Sequence, residues 1–337
     1  MYYSHVKLFL KCNISGKAAR KKEEKQKGTQ VQILNEDFFF ANPEIFIYRA
    51  FPKDNRWQLI TRKWDFTKFA EVPYFERYFF TEDLEIHSKF SGRLVAKLGE
   101  CNVEIGSKIS AGLNLDYQLY YDHVESGKEM SSSLQLSNYV LLNRANSLWN
   151  FGIRFPEAGV YKLQIDGGRN YVTTLCEFRI DCRHAQDDCK PLPFNPGKIG
   201  YGPSIDTANA GVKALSHTQG VVKMNVRKQT DFKFNLTKQV NVKTQLIHST
   251  MKTAELEKYC VQVQNNRALN VRVTMPEGGE YALAMYTQNG KLTENVCNYL
   301  LTSDDRNKKG QRDWEVKYIT CFIGYMRLRI HPTFSFR

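Results

Sequence analysis

The feature that most constrains the fold is a phrase the chain carries twice. Phe151-Gly152-Ile153-Arg154-Phe155-Pro156-Glu157-Ala158-Gly159-Val160-Tyr161-Lys162-Leu163 returns 120 residues later as Val271-Arg272-Val273-Thr274-Met275-Pro276-Glu277-Gly278-Gly279-Glu280-Tyr281-Ala282-Leu283. Each copy alternates apolar with polar residues, breaks at Pro-Glu-x-Gly and resumes alternation on Tyr-x-Leu, the pattern of strand, tight turn, strand. Two copies of one module are expected, with Pro156, Glu157, Gly159 and Tyr161 matched by Pro276, Glu277, Gly279 and Tyr281. The repeat speaks to architecture and carries no chemistry.

Residues around the phrase extend the match. Gly92 precedes Leu94, Ala96 and Leu98, and Gly220 precedes Val222, Met224 and Val226, all at period two. Leu113, Leu115, Tyr117 and Leu119 in the first copy correspond to Phe232, Phe234 and Leu236 in the second, and each copy closes on a Cys-bearing strand, around Cys176 and Cys297. Several short strands separated by turns predict two tandem immunoglobulin-like antiparallel β-sandwiches in a mainly β chain. Tyr161 and Tyr281, each two residues after a turn glycine, are expected to be corner tyrosines whose hydroxyls bond upstream backbone, a structural role.

At 337 residues, 42% hydrophobic, the chain is long enough for two such cores and flanking segments. The net charge of +13 is unevenly spread: residues 1 to 30 and 306 to 337 each hold eight Lys/Arg against two Asp/Glu, so each end is +6 and the middle carries +1. A near-neutral folded part argues against a specific nucleic-acid partner. The cluster Lys17, Arg20, Lys21, Lys22, Lys25 and Lys27 lacks aromatic residues for base stacking; it reads as a solvated leader, with weak anionic-surface contact through the basic ends as the alternative. No 18-residue apolar run exists, and Lys7 and Lys11 break a poor signal peptide, so a cytoplasmic location is expected. Eight cysteines without CxxC spacing read as reduced thiols, mostly in the core. The expected organisation is a basic leader (1–30), an aromatic segment with a short helix (31–83), a first sandwich (84–183), a second sandwich (184–305) and a basic, aromatic tail without a stable fold (306–337).

The aromatic segment carries identity. It runs Asn35-Glu36-Asp37-Phe38-Phe39-Phe40-Ala41-Asn42-Pro43-Glu44-Ile45-Phe46-Ile47-Tyr48, then Phe51-Pro52 and Arg56-Trp57-Gln58-Leu59. Asp65-Phe66-Thr67-Lys68-Phe69-Ala70-Glu71-Val72-Pro73-Tyr74-Phe75 follows, with Asp65 placed as a helix N-cap and Pro73 ending the helix. This series resembles the end of the transglutaminase-like core in the kyphoscoliosis peptidase and hillarin family, with Pro43, Glu44, Phe46, Tyr48, Trp57 and Gln58 as signature residues. The stretch from Pro191-Leu192-Pro193 to Gly200-Tyr201-Gly202-Pro203 is similar to the family's entry into its second module. The resemblance spans residues 33 to 303 and implies a short α/β remnant of that core, its Pro-Glu-x-Phe-Ile-Tyr run as a strand, ahead of the two sandwiches.

For chemistry the resemblance implies an absence. Transglutaminase-like catalysis needs a Cys thiolate, a His base and an orienting Asp, and in the family all three precede the Pro-Glu-x-Phe-Ile-Tyr strand. No position here matches them, so no catalytic residue is expected and no cofactor is implied. Cys176, Cys182, His184, Asp187, Asp188 and Cys189 fall close together but lack the paired spacing of a zinc site, so no metal is expected. A family-like middle with unlike basic ends is the pattern of a partial reading frame. The leading expectation is a non-catalytic interaction scaffold with protein partners, cytoskeletal by the resemblance. The alternative is the C-terminal part of a cysteine peptidase or transglutaminase-like enzyme.

Overall fold

The computed structural model describes residues 41–108, 112–131, 134–145, 147–169, 172–289 and 292–303; the leader, Phe38 to Phe40 and the tail lie outside the described residues. Two compact units divide between Gly200 and Tyr201. In the first, the strands are β1 (Tyr74–Phe75), β2 (Leu84–Ile86), β3 (Arg93–Val95), β4 (Glu100–Ser107), β5 (Leu115–Asp122), β6 (Val140–Ala145), β7 (Leu148–Arg154), β8 (Gly159–Gly167) and β9 (Thr173–Cys182). One sheet has the order β2-β4-β7-β6; the other runs β5-β8-β9, with β1 and β3 both on the far edge of β9. The second unit has β10 (Val212–Ala214), β11 (Val221–Met224), β12 (Gln229–Leu236), β13 (Asn241–His248), β14 (Cys260–Gln264), β15 (Ala268–Thr274), β16 (Glu280–Asn289) and β17 (Leu292–Ser303). Its sheets are β10-β12-β15-β14 and β11-β17-β16-β13.

The two units share one topology. Pairing is antiparallel except where β3 meets β9 and β11 meets β17, both parallel. The opening strand is therefore split between the sheets, as β2 and β3 or as β10 and β11. This is the immunoglobulin-like arrangement the sequence predicts.

Period two places the cores. Leu115, Tyr117 and Leu119 point inward from β5, Phe232, Phe234 and Leu236 from β12, and Leu269, Val271 and Val273 from β15. Each such side chain contributes roughly 1.5–3 kcal/mol when buried. Trp149, Phe151, Ile153 and Phe155 continue the first core and Met275, Tyr299 and Leu301 the second. The six described cysteines are free thiols, so no disulfide joins the sheets. Leu98 departs from the expected alternation: it is 66% exposed, at φ 53°, because the chain turns there before the bond from Glu100 N–H to the Lys97 carbonyl.

The segment before the first sandwich corrects one expectation. Pro43–Phe46 is a short helix, α1, and not a strand. Asn42 caps it by accepting from Glu44 N–H at 3.0 Å, and Pro43 fills the first helical position, where its missing N–H costs nothing. These local signals override the β-propensity of Ile45, Phe46 and Tyr48. The helix α2 (Phe66–Glu71) forms as expected, with the Asp65 carboxylate accepting from Lys68 N–H at 2.7 Å. A third helix, α3 (Arg77–Thr81), follows β1.

This segment packs onto the first sandwich. Phe75 and Phe79 belong to the sandwich core, while Ile47, Phe51, Ile60, Trp64, Phe69 and Val72 form a small cluster of their own. Tyr48 packs against both clusters, its ring lying 5.0 Å from Trp64, 5.2 Å from Phe75 and 5.4 Å from Phe80. Arg49 pairs with Glu76 at 3.1 Å. Gly92 clamps the junction: its N–H donates to the Glu71 carbonyl at 2.7 Å, its carbonyl accepts from Arg179 N–H, and an added Cβ would lie 2.2 Å from the Val72 carbonyl oxygen.

The second unit repeats this entry. Gly202 N–H bonds the Asn298 carbonyl on β17, where β1 meets β9 in the first unit, and α4 (His123–Ser126) in the first unit is followed in chain order by α5 (Ile205–Asn209), which leads into β10 as α3 leads into β2. The structural repeat thus reaches back to Tyr74 and Tyr201. We predict that Gly92→Ala, which drives a methyl group into backbone, lowers the stability of the first unit by roughly 3 kcal/mol, read as a fall in its thermal midpoint with that of the second unit unchanged.

Candidate functional site

The repeated motif residues sit at the corner between the sheets of each sandwich. Tyr161 is fully buried and donates its hydroxyl to the Glu157 carbonyl at 2.8 Å. Its ring meets Phe155 at 4.6 Å and its cross-strand partner Tyr121 at 5.1 Å. Gly159 is required because the Tyr121 ring occupies the space of a Cβ, 2.4 Å away. In the second sandwich Tyr281 is equally buried, its hydroxyl meets Met251 Sδ at 3.7 Å, and its cross-strand partner is His248, ring to ring at 4.5 Å. Gly279 donates to Ser303 Oγ at 2.9 Å. Glu157 also accepts from Ser131 N–H at 3.0 Å, and Pro156 and Pro276 open the turns.

The signature residues shape the segment ahead of the first sandwich. Gln58 is 1% exposed and bonds the Trp64 backbone twice, accepting from its N–H at 2.8 Å and donating to its carbonyl at 2.9 Å. Glu44 latches the same loop by accepting from Thr61 N–H at 2.8 Å. Trp57 points outward at 71% exposure, Leu59 at 70% and Phe66 at 46%, three large apolar side chains on one small segment. Sequence reasoning singled out Trp57 as a signature; its exposure is decided by the Gln58 clamp, which turns its neighbour inward.

Burial disfavours the thiolate at five of the six described cysteines. Burial pushes the Cys101 thiol up to about 12, Cys182 to about 11 and Cys297 to about 12, and raises Cys176 and Cys260 as well. A thiol acts as a nucleophile through its thiolate, which these environments disfavour. The cluster from Cys176 to Cys189 does not assemble: Cys176 faces the core from β9, Cys182 donates to the His184 carbonyl, and Asp187 and Asp188 are exposed. Among the described residues no group of three His, Cys, Asp or Glu side chains converges as a metal site. Nor is any helix among them long and apolar enough to cross a membrane. The basic ends proposed for anionic contact lie outside the described residues.

The second unit has an open groove of about 490 Å³ between β13 and β14, lined by Lys243, Gln245, Glu257, Cys260 and Tyr286 among others. Beside it two glutamines stitch the sheet edges. Gln262 donates to the Val242 carbonyl at 2.7 Å and accepts from Thr244 N–H at 2.8 Å; Gln264 donates to the Val240 carbonyl at 2.6 Å and accepts from Val242 N–H at 3.1 Å. Sequence reasoning missed this device. Its signal was the alternation Val261-Gln262-Val263-Gln264, which places valines outside when the polar side chains have inward partners.

A family model described as the KY-like, immunoglobulin-like domain matches residues 66–193 and 208–312, more than half of the chain. The chain belongs to the kyphoscoliosis peptidase and hillarin family. The Lim and transglutaminase domain protein ltd-1 of Caenorhabditis elegans is 22% identical over 83% of this chain and 41% of its own length. Hillarin of Drosophila melanogaster is 21% identical over 91% of this chain and 42% of its own. The chain therefore spans about two fifths of the length of the curated relatives it matches. Solved neighbours include the titin I-band fragment I67–I69, 10% identical with a TM-score of 0.19 over 66% of this chain and 65% of that one. A chimeric titin Z1Z2 gives 10% and 0.22 over 70% and 99%. Scores this low carry no argument, and strand order remains the ground for the fold. The first family-model match begins at Phe66 in α2, ahead of the structural repeat, and the second at Ala208 in α5, inside it.

Two histidines in this family member are half-buried against aromatic rings of the second core. His248 accepts at Nδ1 from Thr250 and Met251 N–H, each at 3.3 Å, and burial lowers its affinity for a proton, against a smaller opposing pull from Glu277. His217 stacks on Phe232 at 4.4 Å and is lowered by burial too. Groups lowered in the folded state favour folding above their unfolded value of about 6.5, and the contribution is lost as pH falls through the lowered folded value. The second unit is expected to melt lower at pH 5.5 than at pH 7.5, with the difference reduced in a His217→Phe/His248→Gln variant, as differential scanning calorimetry would report.

Proposed function

We propose that this chain is a non-catalytic interaction scaffold, associated with the cytoskeleton and cytoplasmic. The observation that carries this reading is the pairing of two sandwiches, in which burial raises the thiols of Cys101, Cys176, Cys182, Cys260 and Cys297, with the exposed apolar side chains of Trp57, Leu59 and Phe66 on the segment ahead of them. Exposed aromatic and aliphatic side chains clustered on a rigid support are the usual anchors of protein interfaces. Gln58 and the Tyr48 ring contacts hold that support against the first sandwich. A cytoskeletal partner follows from the family resemblance, whose members work in muscle and in septin- or actin-based structures. The motif tyrosines Tyr161 and Tyr281 are assigned structural roles, and no cofactor is assigned.

One observation favours a second reading. The curated relatives are more than twice as long as the matched region, and one of them is named for a transglutaminase domain. On that reading residues 31–83 are the end of such a core, and the two sandwiches are its scaffold within a larger enzyme. Sequencing the transcript across its 5′ end checks it: an in-frame Cys, His and Asp core would favour the enzyme.

For the first reading the test is co-sedimentation of the purified chain with actin filaments and, separately, with septin filaments. Binding to one of them is expected, reduced about tenfold or more by Trp57→Ser/Leu59→Ser, a loss on the scale of a central interface residue. A chain that stays in the supernatant with both filaments would overturn the cytoskeletal assignment.

A further inference from the structure

The two sandwiches treat one strand in opposite ways. In the first unit, β6 is largely buried, and chain following the sandwich lies over it: Leu192 N–H donates to the Asn138 carbonyl at 2.7 Å, just before the strand, and Gly200 packs so close that a Cβ would lie 2.7 Å from the Leu142 carbonyl oxygen. The corresponding strand of the second unit is β14, the outer strand beside β15. Its outward side chains Val261 and Val263 are 53% and 68% exposed.

The backbone of β14 is open as well. The bond from Asn265 N–H to the Ala268 carbonyl at 2.9 Å sets the antiparallel alternation, so Val261 and Val263 bond β15 while Gln262 and Gln264 turn their N–H and C=O groups to the outer edge. Among the described residues no group bonds those outward backbone groups. The neighbouring edge of β13, by contrast, is sealed by the Gln262 and Gln264 side chains. An apolar strand edge with free backbone groups is a template for another strand.

We propose that β14 pairs with β14 of a second copy of this chain, antiparallel and centred on Gln262. The strand is built for that symmetry. With Gln262 opposite its own counterpart, Val261 faces Val263 of the other copy on both sides of the axis, and the two Gln262 backbones exchange N–H to C=O bonds. The exposed Glu257 that precedes each strand comes to the side of the exposed Arg267 that follows the other. A two-fold interface needs this self-complementarity, in which each residue meets its counterpart's partner, and cross-strand valine pairs and opposite charges each add to it. An unrelated peptide would gain the backbone bonds but not the matched ends.

Sedimentation of the full chain over a wide concentration series tests the pairing. A monomer–dimer equilibrium is expected, with Val261→Lys/Val263→Lys, which sets like charges opposite one another on an exposed face, weakening it by about tenfold or more. An unchanged thermal midpoint of that variant would show that the fold is intact. Register has its own readout: Val261→Cys/Val263→Cys should cross-link under mild oxidation above the parent chain, and Val263→Cys alone should not. A chain that is monomeric throughout, a dimer indifferent to the lysines, or cross-linking by the single variant as strong as by the double would each overturn the proposal.

Discussion

Both sandwiches depend on how the outer edge of their last strand is covered. β9 and β17 each lie second in a sheet, and they are covered both by chain from before the sandwich, β1 on β9 and Gly202 on β17, and by the split opening strand, β3 on β9 and β11 on β17. A strand edge left open would expose a row of unmet backbone groups and invite pairing with other chains. The parallel register of β3 with β9 and of β11 with β17 forces the split of the opening strand, and the split makes both sheets close around one core. This is why the residues before the first sandwich belong to it. Phe75 and Phe79 fill its core, Gly92 lets the backbone approach without a side chain between, and Tyr48 joins the small cluster around Trp64 to the larger one.

The same packing sets the state of the described cysteines. A cysteine nucleophile requires stabilised negative charge on sulfur, and burial in a low-dielectric interior works against it at Cys101, Cys176, Cys182 and Cys297. Cys176 and Cys297 occupy like places in the two units, on strands whose inward positions are apolar. His248 shows the same logic at a corner. It stands where the first sandwich has Tyr121, across from the corner tyrosine, and uses its ring nitrogen to accept backbone N–H groups. His248 is here a packing and capping residue.

Much of this was legible in the residues, and the failures are instructive. Period-two alternation located the inward faces of β5, β12 and β15 because side chains on a strand alternate by geometry alone. It failed at Leu98, where the backbone leaves the strand for a turn. In β14, which drew no reading, Val261 and Val263 face outward and glutamines take the inward face because backbone groups of β13 are there to receive them. The family resemblance implied a strand for the Pro-Glu-x-Phe-Ile-Tyr run, yet Asn42 and Pro43 start a helix there. The corner tyrosine was placed by its spacing from the turn glycine, while the ring of Tyr121 against Gly159 required knowing which strand lies across from β8.

By itself the sequence determined that there are two copies of one β-module, which faces of their strands are apolar, where their turns fall, and the family to which they belong, since these follow from local periodicity and ordered motifs. Tertiary structure alone decided where the modules begin, which strand edges are sealed and which stays open, and that Trp57 and Leu59 face outward while Gln58 is buried. Those outcomes depend on contacts between residues far apart in the chain, and edge satisfaction and side-chain exposure are properties of neighbours that only folding brings together.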